Sequence, residues 1–153
     1  MELEVQDVRR AGPEGPSASR ANVGTVRRAI DAFNQRDLDA ALRAVDREAE
    51  LDWSRSRGVE AGIYRGYDAC RRFWTNLIET FESVTVDVNE FIECGDHVVA
   101  PNRARMSGRD GIEVAARSVL VVTFRGTRIV RWTLYQEKAE ALRALGMPDA
   151  AGA

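Results

Sequence analysis

The residues of this chain whose type and position suit moving a proton or holding an anion are scattered along it. His97 is the single histidine; it opens a β-rich run directly after the turn CGD, where an imidazole could exchange a proton near neutral pH. Asp52 sits in the stretch AELDW, one residue before Trp53, and a carboxylate there could serve as a base beside an arginine. Tyr135 could donate a hydrogen bond. Arg103, Arg105 and Arg131 fall in strand-like runs, and a guanidinium fork suits a carboxylate or an enolate. Asp52, His97 and Tyr135 are thus the catalytic candidates.

Each of these residues also has a plainer reading. The chain holds 21 Arg against one Lys, Lys138, so a compositional bias can account for any single arginine. An inward arginine could pair internally with Glu113, Asp52 or Asp31 rather than with a ligand. His97 could be a partly exposed residue at a strand end. Strand parity puts Asp52 and Trp53 on opposite faces, unless a bulge swaps them. One histidine and no acid cluster at ligand spacing lead us to expect no metal and no cofactor.

These side chains need a scaffold, and 153 residues with 44% hydrophobic and 30% charged content suit one globular domain. A net charge of −2 gives no support to nucleic-acid or anionic-membrane binding. The start MELEVQDVRR lacks the pattern of a secretory signal, and no run of 18 apolar residues occurs, so a cytoplasmic location is expected. Cys70 and Cys94 read as buried free thiols.

Residues 1–21 include AGPEGPSASR and read as a flexible tail; residues 147–153 read as a second tail. Val23, Val26, Ile30 and Phe33 mark a first helix, with Asn22 or Thr25 as its cap. A short helix from Asp37 to about Val45 follows, then a strand over Glu48–Ser54. The glycine-rich RSRGVEAGIYRG reads as a loop. Tyr67, Cys70, Trp74, Leu77 and Phe81 recur at helical spacing and predict a third helix to about Thr80. Four β-rich runs come next, SVTVDVNEFIE, HVVAPNRARM, IEVAARSVLVVTF and RIVRWTLYQ, before a last short helix over Glu137–Leu145. Pro101 predicts a bend, bulge or edge. Helices followed by an antiparallel meander define an α+β fold. If Arg131, Thr133 and Tyr135 face the helices, Trp132 and Leu134 lie outside with Val119 and Val121, and that apolar patch predicts a homodimer through the open sheet face.

AFNQRDLDAAL, AELDW, GIYRGYDACRRFW, EFIECGDHVV and FRGTRIVRWTLYQEKAEALRALG, in this order, resemble the SnoaL-like polyketide cyclase family of the nuclear-transport-factor-2-like, or ketosteroid-isomerase-like, superfamily. The resemblance covers about residues 22–146. It implies a cone-shaped α+β barrel, a curved antiparallel or mixed sheet wrapped around three N-terminal helices, with a short C-terminal helix and a pocket between sheet and helices. Matched to ketosteroid isomerase, the base and the two oxyanion donors fall on Trp53, Ala29 and Leu120, none of which can do that chemistry. Polyketide cyclases of the family use an Asp or His in this cavity, for which His97 is available at the rim. The epoxide-hydrolase pattern needs two acids flanking an arginine, and we place none.

Alternation matched to the family turns Val99, Pro101, Arg103 and Arg105 inward, with Ser118, Leu120, Arg131, Thr133 and Tyr135. The expected ligand-binding set is Trp53, Tyr64, Trp74, Arg103, Arg105, Ser118, Leu120 and Arg131, although Trp74 at helical spacing also reads as core. These residues suit an isomerase, cyclase or hydrolase acting on a hydrophobic carbonyl or carboxylate compound. The alternative is a noncatalytic ligand-binding or dimerisation domain of the same fold. Pure partner binding through the open sheet face would instead require a filled cavity and an exposed Trp132.

Overall fold

The structure, a computed structural model, describes residues 8–9, 16–58, 60–108 and 110–147. Strand β1 (Val8–Arg9) precedes helix α1 (Pro16–Asn34), which starts six residues before the expected Asn22. Pro16 suits the first helical position, where a missing N–H leaves no bond unmade. Asn22 is therefore inside the helix, buried, rather than its cap. The remainder of the expected tails, at 1–7, 10–15 and 148–153, lies outside the described residues.

Helix α2 is a single turn (Leu38–Ala41), capped by Asp37, whose carboxylate accepts from the Ala40 N–H at 3.1 Å. Strand β2 then begins at Val45 and ends at Asp52, earlier than its hydrophobic alternation suggests. Parallel pairing of Val45 with Ile129 draws the chain out of the helix there, so tertiary contact overrides local period. Between α1 and α2, Arg36 adopts a left-handed φ of 63°. Its guanidinium donates to the carbonyls of Ile78, in the last turn of helix α3 (Tyr67–Thr80), and of Phe81 and Glu82 just beyond it.

Strand β3 (Ile63–Arg65) forms within the expected loop and pairs with β2. The run SVTVDVNEFIE breaks into β4 (Ser83–Val88) and β5 (Phe91–Cys94). Strands β6 (His97–Ser107), β7 (Glu113–Arg125) and β8 (Arg128–Tyr135) form the antiparallel centre, and α4 (Lys138–Ala144) follows. The eight strands lie in the order β1-β5-β6-β7-β8-β2-β3, with β4 also on β6; β1–β5 and β2–β8 are parallel. Along one edge, β6 pairs with β5 through His97–Val99 and with β4 through Asn102–Ser107. Pro101 occupies the gap between these partners, so its absent N–H disrupts no ladder bond, while its carbonyl accepts from Asn89.

Helices α1–α3 pack on the concave face of this sheet. Register fixes which residues they meet: Leu120 stands opposite Leu134, and Val122 opposite Trp132. The ladder slips between Thr123–Arg131 and Phe124–Ile129, leaving Val130 as an extra residue. Ile129 and Trp132, three residues apart, are consequently both part of the inner core. Alternation run from Ile129 without this bulge predicts Arg131, Thr133 and Tyr135 inward, and the bulge reverses all three.

On the convex face, α4 lays Ala141 and Leu142 over Ile92, Val99, Val119, Val121 and Tyr135. The four residues expected on one open face, Val119, Val121, Trp132 and Leu134, are instead divided: Trp132 and Leu134 face the helices, and Val119 and Val121 lie under α4. Lys138 fixes the start of α4 through Glu90 at 2.7 Å. Among the described residues no helix is long and apolar enough to cross a membrane.

Helix α1 is tied to the sheet by a two-bond bridge in which Asn34 Nδ2 donates to Val86 O at 2.9 Å and Val86 N donates to Asn34 Oδ1 at 2.8 Å. We expect Asn34→Ala to lower unfolding free energy by about 1–3 kcal/mol, because both backbone groups lose their partner. Urea unfolding followed by far-UV circular dichroism measures it, and an unchanged midpoint would contradict the bridge's role.

Candidate functional site

Small side chains on the concave wall leave a space that the helices do not fill. Ala100, Asn102, Ala104 and Met106 from β6 face inward, beside Ala116, Ser118, Leu120 and Val122 from β7. With Leu38 and Leu42 near α2 and Val26, Ile30 and Phe33 from α1 opposite, they enclose a cavity of about 670 Å³. That size is ordinary for a small-molecule site, and the lining is mainly apolar.

One end is aromatic. Phe73 and Trp74 share a face of α3, and Trp53 follows the last residue of β2. Trp74 makes steep edge contacts with four rings: Phe33 and Trp53 at 5.5 Å, Phe73 at 5.0 Å and Trp132 at 6.0 Å. All three tryptophans of the chain therefore line the cavity. The Trp74 indole N–H is buried without an acceptor among the described residues, a deficit worth about 1–3 kcal/mol that a suitably placed ligand oxygen would relieve.

The polar features are few. Asn102 and Ser118 stand directly opposite each other on β6 and β7. Ser118 Oγ donates to Asn102 Oδ1 at 3.4 Å, and Asn102 Nδ2 donates to Ala100 O at 3.0 Å. One Asn102 N–H and the Ser118 lone pairs are left for a ligand. At the rim, Gln136 Nε2 donates to Arg55 O at 2.8 Å and ties the loop after β2 to the end of β8. Ser56, Arg57 and Glu60 complete this rim.

Of the expected ligand-binding residues, Trp53, Trp74, Ser118 and Leu120 line the cavity. Tyr64 is displaced behind Phe73, its ring 5.1 Å away and its hydroxyl donating to Glu60 O at 2.6 Å. Arg103 and Arg105 point to the convex side, where Arg105 meets Asp87 at 3.2 Å and Arg103 stands opposite Arg117. Val98 and Val99 are both buried because α4 covers the convex face, so hydrophobicity could not reveal which parity of β6 faced inward. Arg131 is also convex, paired with Asp52 at 3.2 Å.

The expected proton-handling residues lie outside the cavity. Trp53 faces it, so Asp52 faces away, as strand parity requires. Asp52 accepts from Ser54 N and Oγ at 3.1 and 2.6 Å and also meets Arg55 at 3.6 Å. Burial raises its pKa, but the Ser54 hydrogen bonds and the charges of Arg55 and Arg131 outweigh that and hold it below the ordinary range. Tyr135 packs under α4, with the Arg55 guanidinium 4.6 Å from its ring centre. His97 Nδ1 lies 2.8 Å from Thr123 Oγ1 at the far end of the same face.

Cys70 and Cys94 are free and buried, and burial, with the Glu50 charge, pushes the Cys70 thiol up to about 11. Among the described residues no three His, Cys, Asp or Glu side chains gather as a metal site. Sequence reasoning missed Asn102, whose one signal was a polar residue in an otherwise apolar and basic run.

A helix-filled cone with an internal cavity and a covering C-terminal helix places this protein among the nuclear-transport-factor-2-like folds. The chain belongs to the SnoaL-like domain family, whose sequence profile matches residues 26–132. An NTF2-like protein of unknown function from Burkholderia pseudomallei is similar at 25% identity, covering 81% of this chain and 96% of its own, with a TM-score of 0.67. A Jannaschia protein assigned as a SnoaL-like polyketide cyclase covers 90% and 99% at 18% identity and a TM-score of 0.69. TerC, co-crystallised with polyporic acid, covers 82% and 98% at 17% identity and a TM-score of 0.66. No curated protein matches the sequence.

Because the Asp52 carboxylate has a lowered pKa in the fold, it stabilises above the unfolded value and loses that effect as pH falls through the folded one. We expect Asp52→Asn to cost about 1–2 kcal/mol at neutral pH. The gap to wild type should close below about pH 4. Thermal unfolding across pH tests this; a constant gap would remove the carboxylate's charge from the explanation.

Proposed function

We propose that this protein binds a flat, mainly apolar small molecule in the cone and holds one of its oxygens at Asn102 and Ser118, without itself transferring a proton. The observation that carries this reading is the lining: aromatic and aliphatic walls, a neutral amide–hydroxyl pair, and ionisable side chains only at the rim, among the described residues. Such a site can orient a carbonyl or hydroxyl but offers no group within it that titrates near neutrality. The co-crystal of TerC with polyporic acid supports a small organic ligand for the fold. Cyclase chemistry, as assigned to the Jannaschia relative, is the second reading. One observation favours it: Glu60 is among the residues lining the cavity, and a carboxylate there could act as a base.

Tryptophan fluorescence can follow both halves, since Trp53, Trp74 and Trp132 all line the cavity. Acetylnaphthalene and ethylnaphthalene should both quench it, and Leu120→Trp should block both. Asn102→Leu should weaken the ketone about fivefold and leave the hydrocarbon unchanged. Equal loss for both compounds would remove the amide from ligand recognition. Deuterium exchange into the acetyl methyl should not exceed the buffer rate; acceleration that Glu60→Gln abolishes would establish the second reading instead.

A further inference from the structure

Strand β7 is longer than the strand that covers it. Its ladder with β6 runs over Glu113–Thr123, whereas β8 ends at Tyr135, which pairs with Val119. Beyond Tyr135 the chain turns into α4, so Glu113–Ser118 keep one lateral edge without a strand among the described residues. Every residue from Glu113 to Arg117 is exposed, although β7 lies in the middle of the strand order.

The backbone of this edge points outward at defined positions. Phe124 N–H donates to Asp96 O at 2.8 Å and Gly108 N–H to Ile112 O at 2.7 Å, so even-numbered residues of β7 turn their N–H and C=O toward β6. Odd-numbered residues turn theirs the other way, to β8 at Val119 and Val121, and to the open edge at Glu113, Ala115 and Arg117. Among the described residues nothing pairs with the outward groups of these last three. Exposed edges are usually blunted by proline, lysine or a bulge, but here Val114, Ala115 and Ala116 stand between the two charges. Ile112 and Val114, at 61% and 44% exposure, add apolar surface beside it.

We infer that this edge pairs with the same edge of a second copy of the chain, antiparallel across a two-fold axis at Ala115. An axis normal to the sheet keeps both concave faces on one side, so it pairs residues of equal parity. Centred on Ala115, it sets Glu113 opposite the partner's Arg117, Arg117 opposite the partner's Glu113, and Val114 opposite the partner's Ala116. The outward N–H and C=O groups of Glu113, Ala115 and Arg117 then all find partners, as strand addition requires. Centring on Val114 or Ala116 would instead set Glu113 or Arg117 against alanine. The convex charges favour the first register: Arg117 stands opposite Arg103 on β6 and meets no carboxylate among the described residues, and the partner's Glu113 answers that like-charge pairing. Val114 and Ala116 line the cavity, so the partner's Val114 and Ala116 extend the concave wall at this end.

Sedimentation velocity of the full chain, from micromolar to submillimolar concentration, should show a monomer–dimer equilibrium that weakens with salt. Ala115→Pro removes an N–H that the β6 ladder does not use, and should abolish the dimer while leaving the circular dichroism unchanged. Glu113→Arg and Arg117→Glu should each raise the dissociation constant about tenfold, and the double exchange should return it to within about threefold of wild type. If Ala115→Pro unfolds the chain, the charge exchange decides alone. A monomer at every concentration overturns the pairing; should removal of residues 148–153 then release a dimer sensitive to Arg117→Glu, the edge is held by the chain's own end. A dimer that survives Ala115→Pro sits on another surface, and one indifferent to charge reversal or not rescued by the exchange has another register; each result overturns the assignment.

Discussion

The extra residue at Val130 decides which chemistry this protein presents. It lets Ile129 and Trp132 both face the helices and so sets Leu134 inward and Arg131, Thr133 and Tyr135 outward. Without it, the final strand would turn a guanidinium, a hydroxyl and a phenol into the cone and put an indole on the outside. With it, the wall beside Leu120 and Val122 is apolar, and the charged and phenolic side chains of β8 join Asp52 and Arg55 beneath and beside α4. Inside and outside are exchanged over half a strand by one insertion.

The same division explains the two kinds of polar group in the structure. Several convex-side ions are satisfied locally: Asp52 has Ser54, Arg55 and Arg131, and Lys138 has Glu90. The polar groups on the cavity wall away from its rim are neutral and only partly satisfied, as at Asn102 and the Trp74 indole. A buried charge facing an empty chamber would demand a partner or lose its charge. An amide or indole demands less and can wait for a ligand.

The scaffold was largely legible. Helical spacing placed α3 over Tyr67–Thr80, the turns CGD and RGT closed the hairpins where Gly95 and Gly126 take positive φ, and the motif order pointed to the SnoaL-like family. Trp53 and Trp74 were found because large aromatics at an element's end or face advertise themselves. Strand parity was not legible, for two physical reasons. An apolar Val130 among apolar neighbours leaves no mark of a bulge, and α4 buries the convex face, so Val98 and Val99 look alike from sequence. Every misplaced candidate on β6 and β8 follows from one of these. Asn102 was passed over because the arginine beside it, of opposite parity, carried the more conspicuous chemistry.

Ala100, Ala104 and Ala116 give the concave wall a further property. All three line the chamber, Ala100 while also packed in the core beside it, and the ladder that holds them is made by backbone pairing. Enlarging any of them trims the chamber without disturbing strand register. Volume and polar anchor are therefore separate variables in this fold: descendants of such a chain can drift between ligands of different bulk while the oxygen-binding pair on the adjoining rungs stays in place.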